Sequence, residues 1–150
     1  MTDLFLLRHG EAESLFGGIS DAMRNLTQRG RKNILDQAVG LSREEHGIQA
    51  IHHSPYTRAV QTAEIVNGEL GLSLHVFEEL TPSGSVGPVV NRFSGLEHNI
   101  LAVSHLPLIA ELAQAITGRQ VGFYPGTLVK INLSDPYTCS GSIEWVRHPR

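Results

Sequence analysis

The tripeptide Arg8-His9-Gly10 closes the first apolar run of the chain, Leu4-Phe5-Leu6-Leu7. A guanidinium offers phosphate oxygens a planar fork of donors. A neutral imidazole can attack phosphorus. Glycine allows a sharp turn and leaves room for a ligand. Two other junctions carry the same kinds of group: Ser54 and Arg58 follow a second run, and Ser104-His105 follows a later one. Brought together, two guanidiniums and two imidazoles would make a phosphate site. Arg58 falls in the first turn of an expected helix, where a cation opposes the macrodipole and a nearby anion would account for it.

Positioning these groups requires strands that end side by side. Residues 3–8 read as a buried strand, 48–53 as a second, 72–76 as a short third and 99–103 as a strongly apolar fourth. Residues 11–25, with Gly17-Gly18, read as a loop with a short helical turn. A helix is expected over about 28–46, capped by Thr27 and closed by Gly47, with Ile34, Leu35, Ala38, Val39 and Leu41 inward. A second spans about 55–70, with Ser54 as N-cap and Pro55 at the first helical position; it buries Ala59, Thr62, Ala63, Val66 and Leu70, and Gly71 ends it. A third covers about 84–95, and Pro107 opens a fourth that Gly118 stops. Segments 127–133 and 142–147 read as an antiparallel pair. The alternation predicts an α/β fold over residues 1–150 as one domain. It is a three-layer α/β/α sandwich with a mostly parallel central sheet, helices on both faces and an antiparallel C-terminal edge. Ligands of such sheets bind beyond the carboxyl ends of the strands. Two of the three polar junctions are also helix N-termini, which favour anions.

Composition narrows the function classes. The chain has 150 residues, 41% hydrophobic and 18% charged, which suits one domain burying about 68–70% of its unfolded surface. Its net charge is −3 with no basic stripe, so nucleic acid is not expected as a partner. No apolar run approaches the roughly 18 residues of a membrane helix, and no signal-peptide pattern is visible. A cytoplasmic location without a membrane partner is expected. Cys139 is the single cysteine, which excludes an internal disulfide and a cysteine-rich zinc site. The eight histidines lack the spacing of metal motifs such as His-Glu-x-x-His, so no metal is expected, although Glu11 and Glu13 near His9 could add oxygen ligands. His52-His53 read as packing residues, and His46, His75, His98 and His148 as solvent or loop residues. A Walker loop and a G-x-S-x-G elbow are both missing from the sequence.

Leu7-Arg8-His9-Gly10-Glu11-Ala12 resembles the signature of the histidine phosphatase superfamily. Ser54-Pro55-x-x-Arg58-Ala59-x-Gln61-Thr62-Ala63 resembles its second motif and Val103-Ser104-His105 its third, so the likeness runs along nearly the whole chain. Arg24-Asn25-Leu26-Thr27, Glu79-Leu80-Thr81-Pro82-Ser83-Gly84 and Ser104-His105-Leu106-Pro107-Leu108 are similar to the small SixA-type phosphohistidine phosphatases, and the short length agrees. The resemblance implies that His9 attacks phosphorus and becomes a transient phosphohistidine, which water then hydrolyses. Arg8, Arg58 and His105 would hold the phosphoryl oxygens, with Gly10 and Ser54 also at the substrate. Glu79 is the position matched to a general acid, or else a loop carboxylate pairing with an arginine. An imidazole leaving group asks less of an acid than an alkoxide does. No metal or other cofactor is implied. The implied substrate is a phosphorylated protein histidine, and a monomer is expected. Two alternatives stand: a small-molecule phosphomonoesterase of the same superfamily, and a phosphate-binding module without catalysis.

Overall fold

In the computed structural model, which describes residues 2–15 and 18–150, six strands form one sheet. They are β1 (Thr2–Arg8), β2 (Ile48–His53), β3 (Ser73–Val76), β4 (Asn99–Ser104), β5 (Leu128–Asp135) and β6 (Ser140–Arg147), in the order β3-β2-β4-β1-β5-β6. The pairs β1–β4, β2–β4 and β2–β3 are parallel. Strand β5 runs antiparallel to both β1 and β6. Four helices cover the sheet: α1 (Gln28–Ser42), α2 (Thr57–Leu70), α3 (Val86–Phe93) and α4 (Leu108–Thr117). The expected α/β architecture, with its antiparallel C-terminal edge, is the one observed.

Strand β1 is apolar on both faces because both are covered. Phe5 and Leu7 pack with Ile34 and Ala38 of α1 and Ala59, Ala63 and Val66 of α2. Leu4 and Leu6 pack on the opposite side with Val89 and Phe93 of α3 and Leu108 and Leu112 of α4. Each leucine, isoleucine, valine or phenylalanine among them, fully buried, contributes roughly 1.5–3 kcal/mol. The predicted caps Thr27, Gly71 and Gly118 hold: Thr27 Oγ1 accepts from Gly30 N at 2.9 Å, and both glycines sit in the left-handed region. No helix among the described residues is long and apolar enough to cross a membrane.

Several boundaries differ from the sequence reading. Helix α1 stops at Ser42, because Arg43 N and Glu44 N bond back to Gly40 O and Leu41 O, and Gly47 (φ +64°) makes the turn into β2. Leu35 faces solvent. The inward place goes to Gln37, whose Nε2 donates to Gly126 O at 2.9 Å and Arg147 O at 2.8 Å, while its Oε1 accepts from Arg147 Nε at 3.0 Å. Helix α2 begins at Thr57 with Tyr56 at the N-cap, so Ser54 is not its cap. Helix α3 starts two residues later than expected, because Gly84 N is turned back onto Thr81 O. Phe16 and the first glycine of the Gly17-Gly18 pair lie outside the described residues.

Gly10 and Gly30 interlock where β1 meets α1. A Cβ on Gly10 would lie 2.9 Å from Ile34 Cγ1 and 3.0 Å from Gly30 O; one on Gly30 would lie 2.2 Å from Glu11 O. The bareness of Gly10 thus serves the packing of β1 against α1. Gly30→Ala drives a methyl into backbone that cannot retreat. It is expected to cost about 3 kcal/mol, read as a lowered urea midpoint, whereas Gly68→Ala on the open side of α2 is expected to stabilise slightly.

Candidate active site

The register of three parallel strands brings the polar junctions together. Arg8 is paired with Ser104, and His53 with Val103. The ladder continues one residue further: His9 N donates to Ser104 O at 3.1 Å, and Ser54 N to Val103 O at 3.2 Å. His9, Ser54 and His105 therefore emerge beside one another at the carboxyl edge, and the start of α2 adds Arg58.

His9 is 6% exposed. Its Nδ1 lies 2.7 Å from Gly10 O. A carbonyl only accepts, so Nδ1 carries the proton and Nε2 holds the lone pair. Arg58 Nε stands 3.3 Å from that Nε2. The His9 and His105 rings are 4.9 Å apart between centroids. His105 Nε2 shares a 2.8 Å hydrogen bond with Ser54 Oγ, which also accepts from Tyr56 N at 3.1 Å. This use of its hydroxyl explains why Ser54 does not cap α2. Arg8 donates from Nη1 to Phe123 O at 2.9 Å. Arg8 Nε and His105 Nδ1 are buried without a protein partner, the kind of unsatisfied group that a ligand with several oxygens would meet. Gly10 N donates to Thr62 Oγ1 at 3.1 Å, and that hydroxyl donates to Arg58 O at 2.7 Å, so the turn after β1 is tied to the turn that carries Arg58.

Burial sets the charge states. It pushes His9 down to about 3, with Arg58, Arg8 and Arg24 adding to the shift and the Gly10 bond opposing it. His105 is pushed far down by burial and then by His9, Arg58 and Arg8. Both imidazoles are neutral at pH 7. Burial also lowers Arg8 and Arg58, yet a guanidinium stays protonated.

Asp21 escaped the sequence reading. It opens the 3-10 turn Asp21–Met23. Its Oδ2 accepts from Arg58 Nη2 at 3.2 Å, its carbonyl from Arg58 Nη1 at 2.7 Å, and its Oδ1 from Arg24 Nε at 3.0 Å. Burial works to raise this carboxyl, and the Arg58 and Arg24 charges and hydrogen bonds outweigh it, holding the group below the usual carboxylate range. Its one sequence signal is the three-residue spacing to Arg24. Tyr56 was missed as well; its ring lies 5.1 Å from Arg58 Cζ and 5.2 Å from the His105 ring.

Glu79 is exposed on the 3-10 turn Glu78–Leu80. That turn is stitched to the site, because Ser104 Oγ donates to Leu80 O at 2.9 Å. The Glu79 carboxylate makes no hydrogen bond or ion pair among the described residues. His52 stacks on His75 with ring centroids 5.1 Å apart, and His53 Nδ1 bonds Ser54 O at 2.9 Å. Both serve packing, as expected. Among the described residues, no three His, Cys, Asp or Glu side chains gather to hold a metal ion.

The fold and motifs define a class of phosphatase. The sequence profile described as histidine phosphatase superfamily (branch 1) matches residues 4–82, and the chain belongs to that superfamily. Within it the SixA-type likeness is borne out. The chain is 30% identical over 154 residues to the phosphohistidine phosphatase SixA of Escherichia coli, covering 97% of this chain and 93% of that protein. A SixA homolog of Haemophilus influenzae is 32% identical over 144 residues, covering 86% and 87% respectively. The solved structure of the protein histidine phosphatase SixA complexed with tungstate superposes with a TM-score of 0.86 at 32% identity, covering 98% of this chain and 97% of that one.

An imidazole whose pKa is lower in the folded chain takes up its proton first in the unfolded chain. His9 therefore contributes stability that is complete above its ordinary value of 6.5 and is lost as pH falls towards 3. The slope in that window is at most about 1.4 kcal/mol per pH unit for one proton. Urea unfolding at steps from pH 7 to pH 4 is expected to show wild type losing stability more steeply than His9→Gln, by up to that amount per unit.

Proposed function

We propose that the chain hydrolyses the phosphoryl group of a phosphohistidine on a protein, with His9 as nucleophile. The observation that carries this reading is the aim of one imidazole. Nδ1 is anchored on Gly10 O, so the Nε2 lone pair faces the guanidinium of Arg58. A phosphoryl group held by Arg58, Arg8 and His105 meets that lone pair. Nε2 attacks phosphorus, and the phosphorus–nitrogen bond to the substrate imidazole breaks with its electron pair passing to nitrogen. The departing ring takes a proton from solvent, and His9 carries the phosphoryl group. Water then attacks phosphorus, loses a proton to solvent and releases phosphate, restoring neutral His9. Fixed guanidinium charge offsets the charge spread over the phosphoryl oxygens, and little else is needed for in-line transfer. Ser54 holds His105, and the Gly10 carbonyl fixes the His9 tautomer. The relatives named as phosphohistidine phosphatases support this substrate class.

Hydrolysis of a phosphohistidine-bearing protein, followed by phosphate release, tests the reading. His9→Ala is expected to lower the rate at least about 10³-fold, and Arg58→Ala about 10²–10³-fold. Rapid acid-free quenching is expected to trap labelled, acid-labile phosphate on wild type and none on His9→Ala. Wild-type turnover by His9→Ala, or a strong preference for sugar or nucleotide phosphates, overturns it.

Glu79 is the carboxyl we assign as proton donor when the leaving group is an alkoxide. Imidazole leaves far more readily, so Glu79→Gln is expected to slow hydrolysis of an alkyl phosphate about tenfold or more and that of phosphohistidine about twofold or less. Equal losses on both substrates contradict the assignment.

A further inference from the structure

A groove of about 340 Å³ runs along α4 from Leu106, the residue after His105. One wall is the outer side of α4 and its entry, with Leu106, Pro107, Ala110, Glu111 and Gln114; the other is Gln120 and Val121, from the segment joining α4 to β5. Both walls are tied to residues of the site. Leu106 follows His105 directly, and two residues beyond Val121 the Phe123 carbonyl takes the Arg8 hydrogen bond at 2.9 Å. Each wall is therefore connected through a residue or two of chain to a group that would hold the phosphoryl oxygens. Pro107 to Gln114 spans about 10 Å at roughly 1.5 Å per residue, the length of about three residues of extended peptide.

The lining is amphipathic. Leu106 is 37% exposed although it neighbours a fully buried histidine, and Pro107 beside it is exposed as well. Exposed apolar side chains gathered around a polar site mark a protein-binding surface. A sugar phosphate would gain nothing from them. Glu111 is exposed on the groove, and Glu78 and Glu79 are exposed on the neighbouring turn; none of the three has an ion-pair partner among the described residues. Glu111 is thus a carboxylate on the groove without an ion pair among the described residues, and Arg119 stands exposed beside the opposite wall.

We propose that this groove docks the segment flanking the phosphohistidine in the substrate protein: an apolar side chain seats against Leu106, Pro107 and Val121, and a lysine or arginine pairs with Glu111. The proposal rests on the phosphohistidine reading above and adds the partner's sequence chemistry to it. It separates recognition of the phosphoryl group, at His9, from recognition of its carrier, along α4.

The probes are phosphohistidine peptides made by chemical phosphorylation, flanked by Leu-Lys, by Gly-Gly or by Asp-Asp, with free phosphohistidine as the size control. Wild type is expected to favour the Leu-Lys peptide over the Gly-Gly peptide at least tenfold in kcat/KM, through KM, and to reject the Asp-Asp peptide. Glu111→Lys is expected to abolish that preference, and Ala110→Lys, which fills the groove, to do the same. Both variants are expected to hydrolyse free phosphohistidine within twofold of wild type, which also reports that they fold. Equal wild-type rates on the three peptides overturn the docking site, as does a preference that survives in both variants, while the function proposed above stands. No wild-type hydrolysis of any phosphohistidine probe overturns both.

Discussion

Two guanidiniums and two imidazoles crowd one sheet edge, three of the four buried, and the architecture of the site follows from how their charge is shared out. Desolvation and the neighbouring arginines keep both histidines neutral, so the positive charge stays on Arg8 and Arg58, where phosphoryl oxygens can use it. The same pressure delivers a nucleophile that needs no base, because neutral imidazole has its lone pair available. Asp21 relieves part of the repulsion by lying across Arg58 and Arg24. The anchoring bond from His9 to the Gly10 carbonyl is local, and together with the Arg58 Nε donor it fixes which nitrogen keeps its lone pair.

The sheet converts this local chemistry into a shared site. Parallel pairing in register means that strand ends coincide, and the ladder runs one residue past β1 and β2 to hold His9 and Ser54 level with Ser104. The antiparallel β5 contributes something a fifth parallel strand could not. Its first residues lie at the same carboxyl edge, so the loop before it reaches Arg8. There Gly126 N bonds to both Arg8 O and His9 O at 3.0 Å, and Gln37 holds Gly126 in turn from the core side of α1.

What the sequence revealed and what it concealed divide along contact distance. Apolar runs that stop at Arg8-His9, Ser54 and Ser104-His105 are visible because the sheet is buried on both faces and turns polar at its edge. Thr27, Gly71 and Gly118 are visible because caps are local. Ser54-Pro55 reads as a helix start by the same local rule, yet the hydroxyl is taken by His105, 51 positions away, and tertiary demand prevails. Leu35 and Gln37 exchange expected places because two carbonyls and a guanidinium wait for an amide inside. Asp21 meets Arg58 across 37 positions and Phe123 meets Arg8 across 115, and no periodicity encodes such pairs.

The Arg8–Phe123 clasp bears on the order in which the protein becomes able to work as it is made. A nascent chain that has reached Gly118 already contains Arg8, His9, Arg58 and His105. It still lacks the carbonyl that aims Arg8 and the strand that closes one side of β1. Until that strand arrives, β1 is an open edge rather than an interior strand. Chemical competence is thus withheld until β5 and the loop before it have emerged, and emerging polypeptide carries the parts of a phosphatase before it carries the assembled site.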